Sequence, residues 1–392
     1  MPWNQVTPMD EKSLFIADVL RGVLSISEIC ERYNISRKTG YKLIGRYRQE
    51  GPGGLRERSR RPRSCPHRTP AGVEGLVVDA RRHHPRWGAK KLLRILSEKY
   101  PQIVWPARST LCDILSRNAL VTPPRRRYKP GHPGRPNAEA DAPNDLWCTD
   151  FKGQFRTGDG LYCYPLTVTD NYSRMVLGCQ ALRTTACRDA KPVFRRLFQE
   201  FGLPLRIRSD NGVPFATVSL ARLSMLSAWW IRLGVLPELI QPGRPQQNGK
   251  HERMHRTLKD ATARPPAATL RAQQRRFDRF VQEFNHERPH ESLQQQRPAS
   301  FYSPSPRPYP SKLPRLEYPA HYEKRLVSNN GGIRWNCRWV NVSVCCAQEY
   351  VGLDEVANGV WEVYFGPLKL GRLLEEHYRI EDRYGKLMRH CR

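Results

Sequence analysis

Two proline-rich, basic stretches constrain this chain more than any other feature. The first is Thr122-Pro-Pro-Arg-Arg-Arg-Tyr-Lys-Pro-Gly-His-Pro-Gly-Arg-Pro136. The second runs from Pro298 to Pro319, with Pro304, Pro306, Pro308, Pro310 and Pro314 between. Proline fixes φ and has no amide proton, so neither stretch can form a helix interior or a central strand. Both read as extended linkers, which divide the chain into blocks that fold separately. The length, 392 residues, agrees with two to three domains. A weaker boundary is the arginine-rich run from Arg56 to Arg68.

Charge narrows the class of partner. Lysine and arginine number 66 against 37 aspartates and glutamates, a formal net charge of +29. Such an excess calls for a polyanion, and double-stranded DNA is the first expectation, because phosphate neutralisation releases counterions. An anionic membrane surface and the ribosome rank behind it. No apolar run approaches the ~18 residues that would span a bilayer, and the N-terminus lacks the pattern of a secretory signal. A cytoplasmic, nucleoid-associated protein is therefore expected. The eleven cysteines are scattered with no CxxC pair, which argues against a disulfide framework and a structural zinc site.

From Met9 to about Gln49 the pattern is helical. Ser27 can cap a short helix carrying Ile29 and Tyr33, and Asn34-Ile35-Ser36 makes a turn. Ser36 can then cap a second helix with Tyr41, Ile44 and Tyr47 on one stripe. Arg37, Lys38, Lys42 and Arg46 are left outside, as candidate DNA contacts. Two short helices and a tight turn, the second helix basic, is a helix-turn-helix arrangement. The bland alternative is a helical hairpin with a solvated basic face. The segment from Pro70 to Leu120 repeats the theme more weakly, with helices at Trp87–Leu96 and Ala107–Leu115.

At Asp145 the period changes. Leu146–Phe151, Leu161–Thr169 and Arg174–Leu182 read as strands, with a hairpin turn at Gly158-Asp159-Gly160. Helices are expected over Asp189–Phe201, Leu220–Leu233 and Gln246–Thr262, and strands over Leu205–Ser209 and Leu236–Ile240. Antiparallel strands followed by alternating helices and strands predict a mixed sheet sandwiched by helices. From Glu323 to Leu374, β-type residues broken by Asn-Gly and Gly-Pro turns predict a small antiparallel β-barrel. The expected division is 1–64 helix-turn-helix, 65–121 second helical unit, 122–140 linker, 141–300 catalytic core, 301–320 linker and 321–392 barrel.

Three carboxylates stand out. Asp150 sits inside an apolar strand, where an unpaired charge costs several kcal/mol. Asp210 follows a strand and opens Asp-Asn-Gly, which is also an ordinary turn. Glu252 shares one helix face with Asn248 and Lys259 by their spacing. A solvated face of mixed charge would explain Glu252 if it stood alone. Together, three oxygen ligands suit Mg2+ or Mn2+ rather than zinc. Two such ions about 3.5–4 Å apart serve in-line displacement at phosphorus. Lys259 could reach a DNA phosphate. Asp170, before Asn171-Tyr172-Ser173, competes as a ligand but reads better as part of a turn between strands.

These residues, in order, resemble a family. Cys-Thr-Asp150-Phe, Asp170-Asn-Tyr-Ser-Arg, Ser-Asp210-Asn-Gly-Val-Pro-Phe215 and Pro242-Gly-Arg-Pro-Gln-Gln-Asn-Gly-Lys-His-Glu252-Arg with Lys259 resemble the bacterial insertion-sequence transposases that have a retroviral-integrase-type (DDE) core. The tail Phe284-Asn-His-Glu-Arg-Pro-His-Glu-Ser-Leu293 looks like the segment closing their catalytic domain. The resemblance covers roughly Asp145 to Ser300. It implies a ribonuclease-H-like fold with Asp150, Asp210 and Glu252 as a catalytic and metal-binding triad for two Mg2+ or Mn2+ ions. It also implies nicking at the element ends, then attack of the freed 3′-hydroxyl on target DNA, with no covalent protein–DNA intermediate. Asn248, Lys250 and Lys259 join the helix-turn-helix residues as expected DNA contacts, and synapsis of two ends implies a homo-oligomer. Between Asp210 and Glu252 lie 41 residues, more than is common in the superfamily; extra helix around Ser219–Trp230 accounts for the surplus. The zinc-binding module of retroviral integrases is not visible. Two other functions remain open on sequence alone: a non-catalytic DNA-binding regulator retaining the fold, and a ribonuclease-H-type nuclease.

Overall fold

The computed structural model describes residues 7–59, 68–121, 140–241, 245–382 and 384–387. The expected first linker, 122–140, lies almost wholly outside the described residues. The chain divides into two compact units, Met1–Pro70 and Ala71–Arg392.

In the first unit, α1 (Pro8–Arg21), α2 (Ile26–Arg32) and α3 (Arg37–Glu50) enclose a core of Phe15, Ile16, Ile29, Cys30, Leu43 and Ile44. Thr7 and Ser25 close capping boxes with Asp10 and Glu28, and the Ser36 hydroxyl accepts the Thr39 amide. The cap of α2 is thus Ser25, two residues earlier than the expected Ser27. Asn34 takes the left-handed conformation (φ 52°) that tightens the turn. Gly40 lets α3 approach α2: a Cβ there would stand 2.5 Å from Cys30 Sγ. That close approach sets the inward face of α3 to Gly40, Leu43 and Ile44, and Tyr41, expected inside, is exposed.

The second unit opens with α4 (Ala71–His83), α5 (Ala89–Lys99) and α6 (Arg108–Arg117), packed around Val77, Trp87, Leu92, Leu111 and Ile114. A mixed sheet follows, of β1 (Leu146–Phe151), β2 (Phe155–Arg156), β3 (Tyr162–Asp170), β4 (Val176–Leu182), β5 (Arg206–Ser209) and β6 (Leu236–Leu239). Here β3 pairs antiparallel with β1, β2 and β4, whereas β1, β5 and β6 run parallel. The first parallel crossover is α7 (Cys187–Phe201) and the second α8 (Met225–Arg232). Phe194, Phe198, Trp229 and Trp230 pack with Trp147, Val168 and Ile207 of the sheet. On a separate cluster α9 (Gly249–Thr262) and α10 (Leu270–Gln282) contribute Met254, Leu258, Phe277 and Phe280, which meet Cys163, Val176 and Cys179. The expected helix over Leu220–Leu233 is broken. Ala221 and Arg222 adopt positive φ, and Ser224 caps a new helix at Met225.

The proline-rich segment after Pro298 is extended but strapped to the core. Arg307 carbonyl accepts the Leu203 amide at 2.7 Å, Ser305 donates to Phe201 carbonyl at 2.8 Å, and Tyr302 donates to Asn144 Oδ1 at 2.8 Å.

The C-terminal strands are β7 (Glu323–Leu326), β8 (Gly332–Trp335), β9 (Arg338–Asn341), β10 (Tyr350–Ala357), β11 (Val360–Phe365), β12 (Leu368–Leu374) and β13 (Arg379–Glu381). The expected closed barrel does not form among the described residues. Strands β13-β12-β11-β10-β7 make an open antiparallel sheet, and β8 and β9 pair only with each other. Closure would require the edges to pair, but β7 and β13 have only four and three residues. The core is nonetheless dense: Trp335 and Trp361 meet edge to face and both donate to Glu375 Oε1, at 2.7 and 3.0 Å.

Candidate active site

The site begins with register. Strand β1 pairs with β5 as Leu146↔Arg206, Trp147↔Ile207 and Cys148↔Arg208. Asp150 lies two residues further along β1 and Asp210 one residue past the end of β5, close enough for the charge of Asp210 to act on Asp150. Asp210 folds into a tight turn in which Oδ1 accepts the Gly212 amide at 3.1 Å.

Several contacts hold the start of α9 against this sheet. The buried Arg208 guanidinium pairs with Glu238 on β6 at 2.6 Å and donates to Gln247 carbonyl at 3.3 Å. Lys250 Nζ donates to Asn171 Oδ1 at 3.0 Å. One turn on, His255 Nδ1 lies 3.6 Å from Asp150 Oδ2. Glu252, three residues before His255, is exposed in the first turn of α9.

Beneath Asp150 lies a polar cluster that sequence reasoning missed. His251 and His255 are both about 2% exposed. Thr167 Oγ1 donates to Asp150 carbonyl at 3.0 Å and contacts His251 Nε2 at 2.8 Å and His255 Nε2 at 2.6 Å. Thr169 Oγ1 contacts His251 Nδ1 at 2.7 Å. The signal was present as two histidines at i, i+4 on the Glu252 helix, aligned with alternate threonines of a strand.

The electrostatics follow from burial and proximity. Burial first, then the charge of Asp210 and, more weakly, that of Glu252, push the Asp150 carboxyl up to about 7. Burial also raises Asp210, against the Gly212 amide that favours its anion. Burial pushes His251 down to about 3 and His255 well below the usual imidazole range, so both are neutral near pH 7.

The charges of Asp210 and Glu252 thus both reach Asp150, although among the described residues no three acidic, histidine or cysteine side chains stand as a ready metal cage. The donor set fits a hard divalent ion: three oxygens that repel one another are relieved by added positive charge. Asp170 serves another purpose. It is buried, and it accepts the Asn144 amide at 2.9 Å and the Ser173 amide and hydroxyl at 2.7 Å each.

Of the expected DNA contacts, Arg37, Lys38, Lys42 and Lys259 are exposed and Arg46 is half-buried. Asn248 is 6% exposed and immediately precedes α9 rather than lying within it, and Lys250 is half-buried against Asn171. Neither presents itself as openly as the spacing alone suggested.

Known proteins share parts of this sequence. Two models of the integrase core domain match residues 140–245 and 233–298. A helix-turn-helix domain model matches residues 14–63, and a homeodomain-like one residues 39–115. The chain is 26% identical over 255 residues to the insertion element IS476 uncharacterized 39.2 kDa protein of Xanthomonas euvesicatoria, covering 61% of this chain and 67% of that one. It is 36% identical over 199 residues to the Gag-Pol polyprotein of avian reticuloendotheliosis virus, covering 50% of this chain and 16% of the polyprotein. The chain spans only 10–17% of the length of the viral polyproteins matched first. Among solved structures, the HTLV-2 integrase catalytic core domain in complex with magnesium aligns with a TM-score of 0.34 and 14% identity, over 42% of this chain and all of that one.

The class is therefore a protein with an N-terminal helix-turn-helix region and an integrase core domain. The resemblance to insertion-sequence transposases with a retroviral-integrase-type core, read from the motifs, is borne out by the matched core and by the insertion-element relatives. No helix among the described residues is long and apolar enough to cross a membrane.

Proposed function

We propose that this chain is a DNA transposase that cleaves the ends of an insertion sequence and joins the freed 3′-hydroxyl to target DNA, with Asp150, Asp210 and Glu252 as the metal-binding triad. One observation carries the reading. The paired strands β1 and β5 carry Asp150 and lead into Asp210, whose charge acts on Asp150, and α9, which bears Glu252, comes within 3.6 Å of Asp150 through His255. Two acidic groups from remote parts of the chain thereby raise the cost of charging Asp150, which folding alone does not require.

In this reading Asp150 and Asp210 bind from the sheet and Glu252 from the helix. Two Mg2+ or Mn2+ ions bound there would activate the attacking hydroxyl and stabilise the leaving oxygen. Lys259, two turns beyond Glu252 on the same exposed face, is placed to meet a DNA phosphate. Arg37, Lys38, Lys42 and Arg46 are assigned to duplex recognition by the helix-turn-helix. Asn248 and Lys250 are assigned a lesser part beside the DNA, since Asn248 is buried and Lys250 is bonded to Asn171. The separate helical, core and C-terminal domains and a homo-oligomer that synapses two ends belong to the same proposal.

The test is cleavage of end-bearing duplexes with Mg2+. Wild type nicks and joins, whereas Asp150→Asn and Glu252→Gln bind the ends and do neither. Binding without cleavage by wild type would favour a regulator that keeps the fold. End-independent degradation of RNA–DNA hybrids would favour a ribonuclease-H-type nuclease.

A further inference from the structure

Hydrogen-bond accounting beneath Asp150 fixes which imidazole nitrogens carry protons. The Thr167 hydroxyl has one proton and two acceptor lone pairs. Its contact with Asp150 carbonyl, which only accepts, uses that proton. Both histidine Nε2 atoms must then donate to Thr167 Oγ1, at 2.8 Å from His251 and 2.6 Å from His255. With its proton on Nε2, a neutral imidazole offers its Nδ1 lone pair to a donor or a metal ion. His251 Nδ1 accepts from the Thr169 hydroxyl at 2.7 Å. His255 Nδ1 instead faces Asp150 Oδ2 at 3.6 Å.

That pairing is unusual. Nitrogen and carboxylate oxygen face each other at 3.6 Å, too long for a hydrogen bond whether or not a proton lies between them. The separation suits something else. Two ligands each about 2.1 Å from one ion stand about 3.0 Å apart at a right angle and no more than about 4.2 Å apart in line. The observed distance lies within those limits. A neutral imidazole also adds a ligand without adding negative charge to a crowded acidic site.

We propose that His255 is a nitrogen ligand, through Nδ1, to the divalent ion held by Asp150. The inference rests on reading Asp150 as a metal-binding carboxylate and adds a ligand three residues beyond Glu252 on the same helix. Thr167 is its positioning residue, fixing the tautomer and the ring plane from the strand opposite. Imidazole suits later transition ions better than it suits magnesium, so the site should prefer Mn2+ to Mg2+.

The experiment is pulsed electron paramagnetic resonance of the full chain with Mn2+ alone. Wild type should show nitrogen hyperfine coupling on the bound ion, and isotopic labelling of the histidine nitrogens should change it. This arm needs no variant. His255→Gln keeps a side-chain amide able to reach Thr167. It should abolish the coupling and weaken Mn2+ binding about tenfold or more, with a smaller loss for Mg2+. Mn2+ whose binding depends on Asp150 but shows no nitrogen coupling would overturn the proposal and leave the carboxylate reading standing. Coupling that persists in His255→Gln would overturn it likewise. Mn2+ binding indifferent to Asp150→Asn would overturn both.

Discussion

Cys148 and Arg208 stand opposite each other on the parallel strands β1 and β5, each two residues before a carboxylate of the site, Asp150 within β1 and Asp210 just past β5. Around it the fold has made a rigid corner. Arg208 is buried, reaches Glu238 on the next strand, and also touches the carbonyl of Gln247 just before α9. The helix that brings Glu252 and His255 is thus tied to the strand that leads to Asp210.

Removing that tie should cost both stability and geometry. Arg208→Met removes the shorter of two ion pairs to Glu238, which keeps Arg206 at 3.6 Å, and frees the Gln247 carbonyl, a loss of about 1–3 kcal/mol. Urea unfolding measures it, and Mn2+ binding should weaken in parallel because Gln247 is released. A loss under about 1 kcal/mol with unchanged Mn2+ affinity would contradict the anchoring role.

Asp170, buried, and Asp150, half-buried, are both aspartates of the sheet, but their partners separate them. Asp170 accepts three protein donors, whereas the Asp150 carboxylate faces Asp210 and His255. Asp170→Asn should lose about 1–3 kcal/mol of stability, since an amide NH2 would meet donors, and should leave Mn2+ affinity alone. Asp150→Asn should do the opposite. Titration calorimetry with parallel melting curves reads both, and an Mn2+ affinity that falls in Asp170→Asn would make that residue a ligand.

The metal-free site should weaken the fold as pH rises. The folded Asp150 pKa, about 7, is above its ordinary value of 3.8, so the native state holds this proton more tightly than the unfolded chain. Its contribution is most favourable below about pH 4 and declines as pH climbs to about 7, by at most roughly 4 kcal/mol, about 1.4 kcal/mol per unit. Melting temperatures of wild type should therefore fall relative to Asp150→Asn across that window. Added Mg2+ or Mn2+ should restore the difference, most strongly near pH 7 where the carboxylate is free to bind. A pH-independent gap between the two proteins would contradict the coupling.

The exposed basic residues of α3 should act through phosphates. Replacing Arg37, Lys38 and Lys42 together by alanine should weaken duplex binding. It should also lower the slope of log affinity against log salt by up to about 3, roughly one for each phosphate no longer neutralised. Fluorescence anisotropy across a salt series reads it. An unchanged slope would move the DNA surface elsewhere.

Much of this was legible in the chain because local rules agreed with the fold. Ser36 caps α3, the 3.6-residue and two-residue periods separate helices from strands, and an aspartate inside Leu146–Phe151 marks itself by its cost. What escaped depends on the meeting of distant segments. Nothing local says that Ala221 and Arg222 will take left-handed conformations and break a continuous apolar helix pattern. Tyr41 lies on an apolar stripe, but Gly40 draws α2 to the other side of it. The C-terminal residues have barrel-like composition, yet the pairing of β8 only with β9 is a tertiary outcome. His251 and His255 became meaningful only when β3 placed Thr167 and Thr169 beneath them.

The most direct test of the central claim is anomalous diffraction from crystals of the full chain soaked in Mn2+. The account predicts manganese peaks about 2.0–2.3 Å from carboxylate oxygens of Asp150, Asp210 and Glu252 together. Manganese bound elsewhere, with those three side chains left apart, would contradict it.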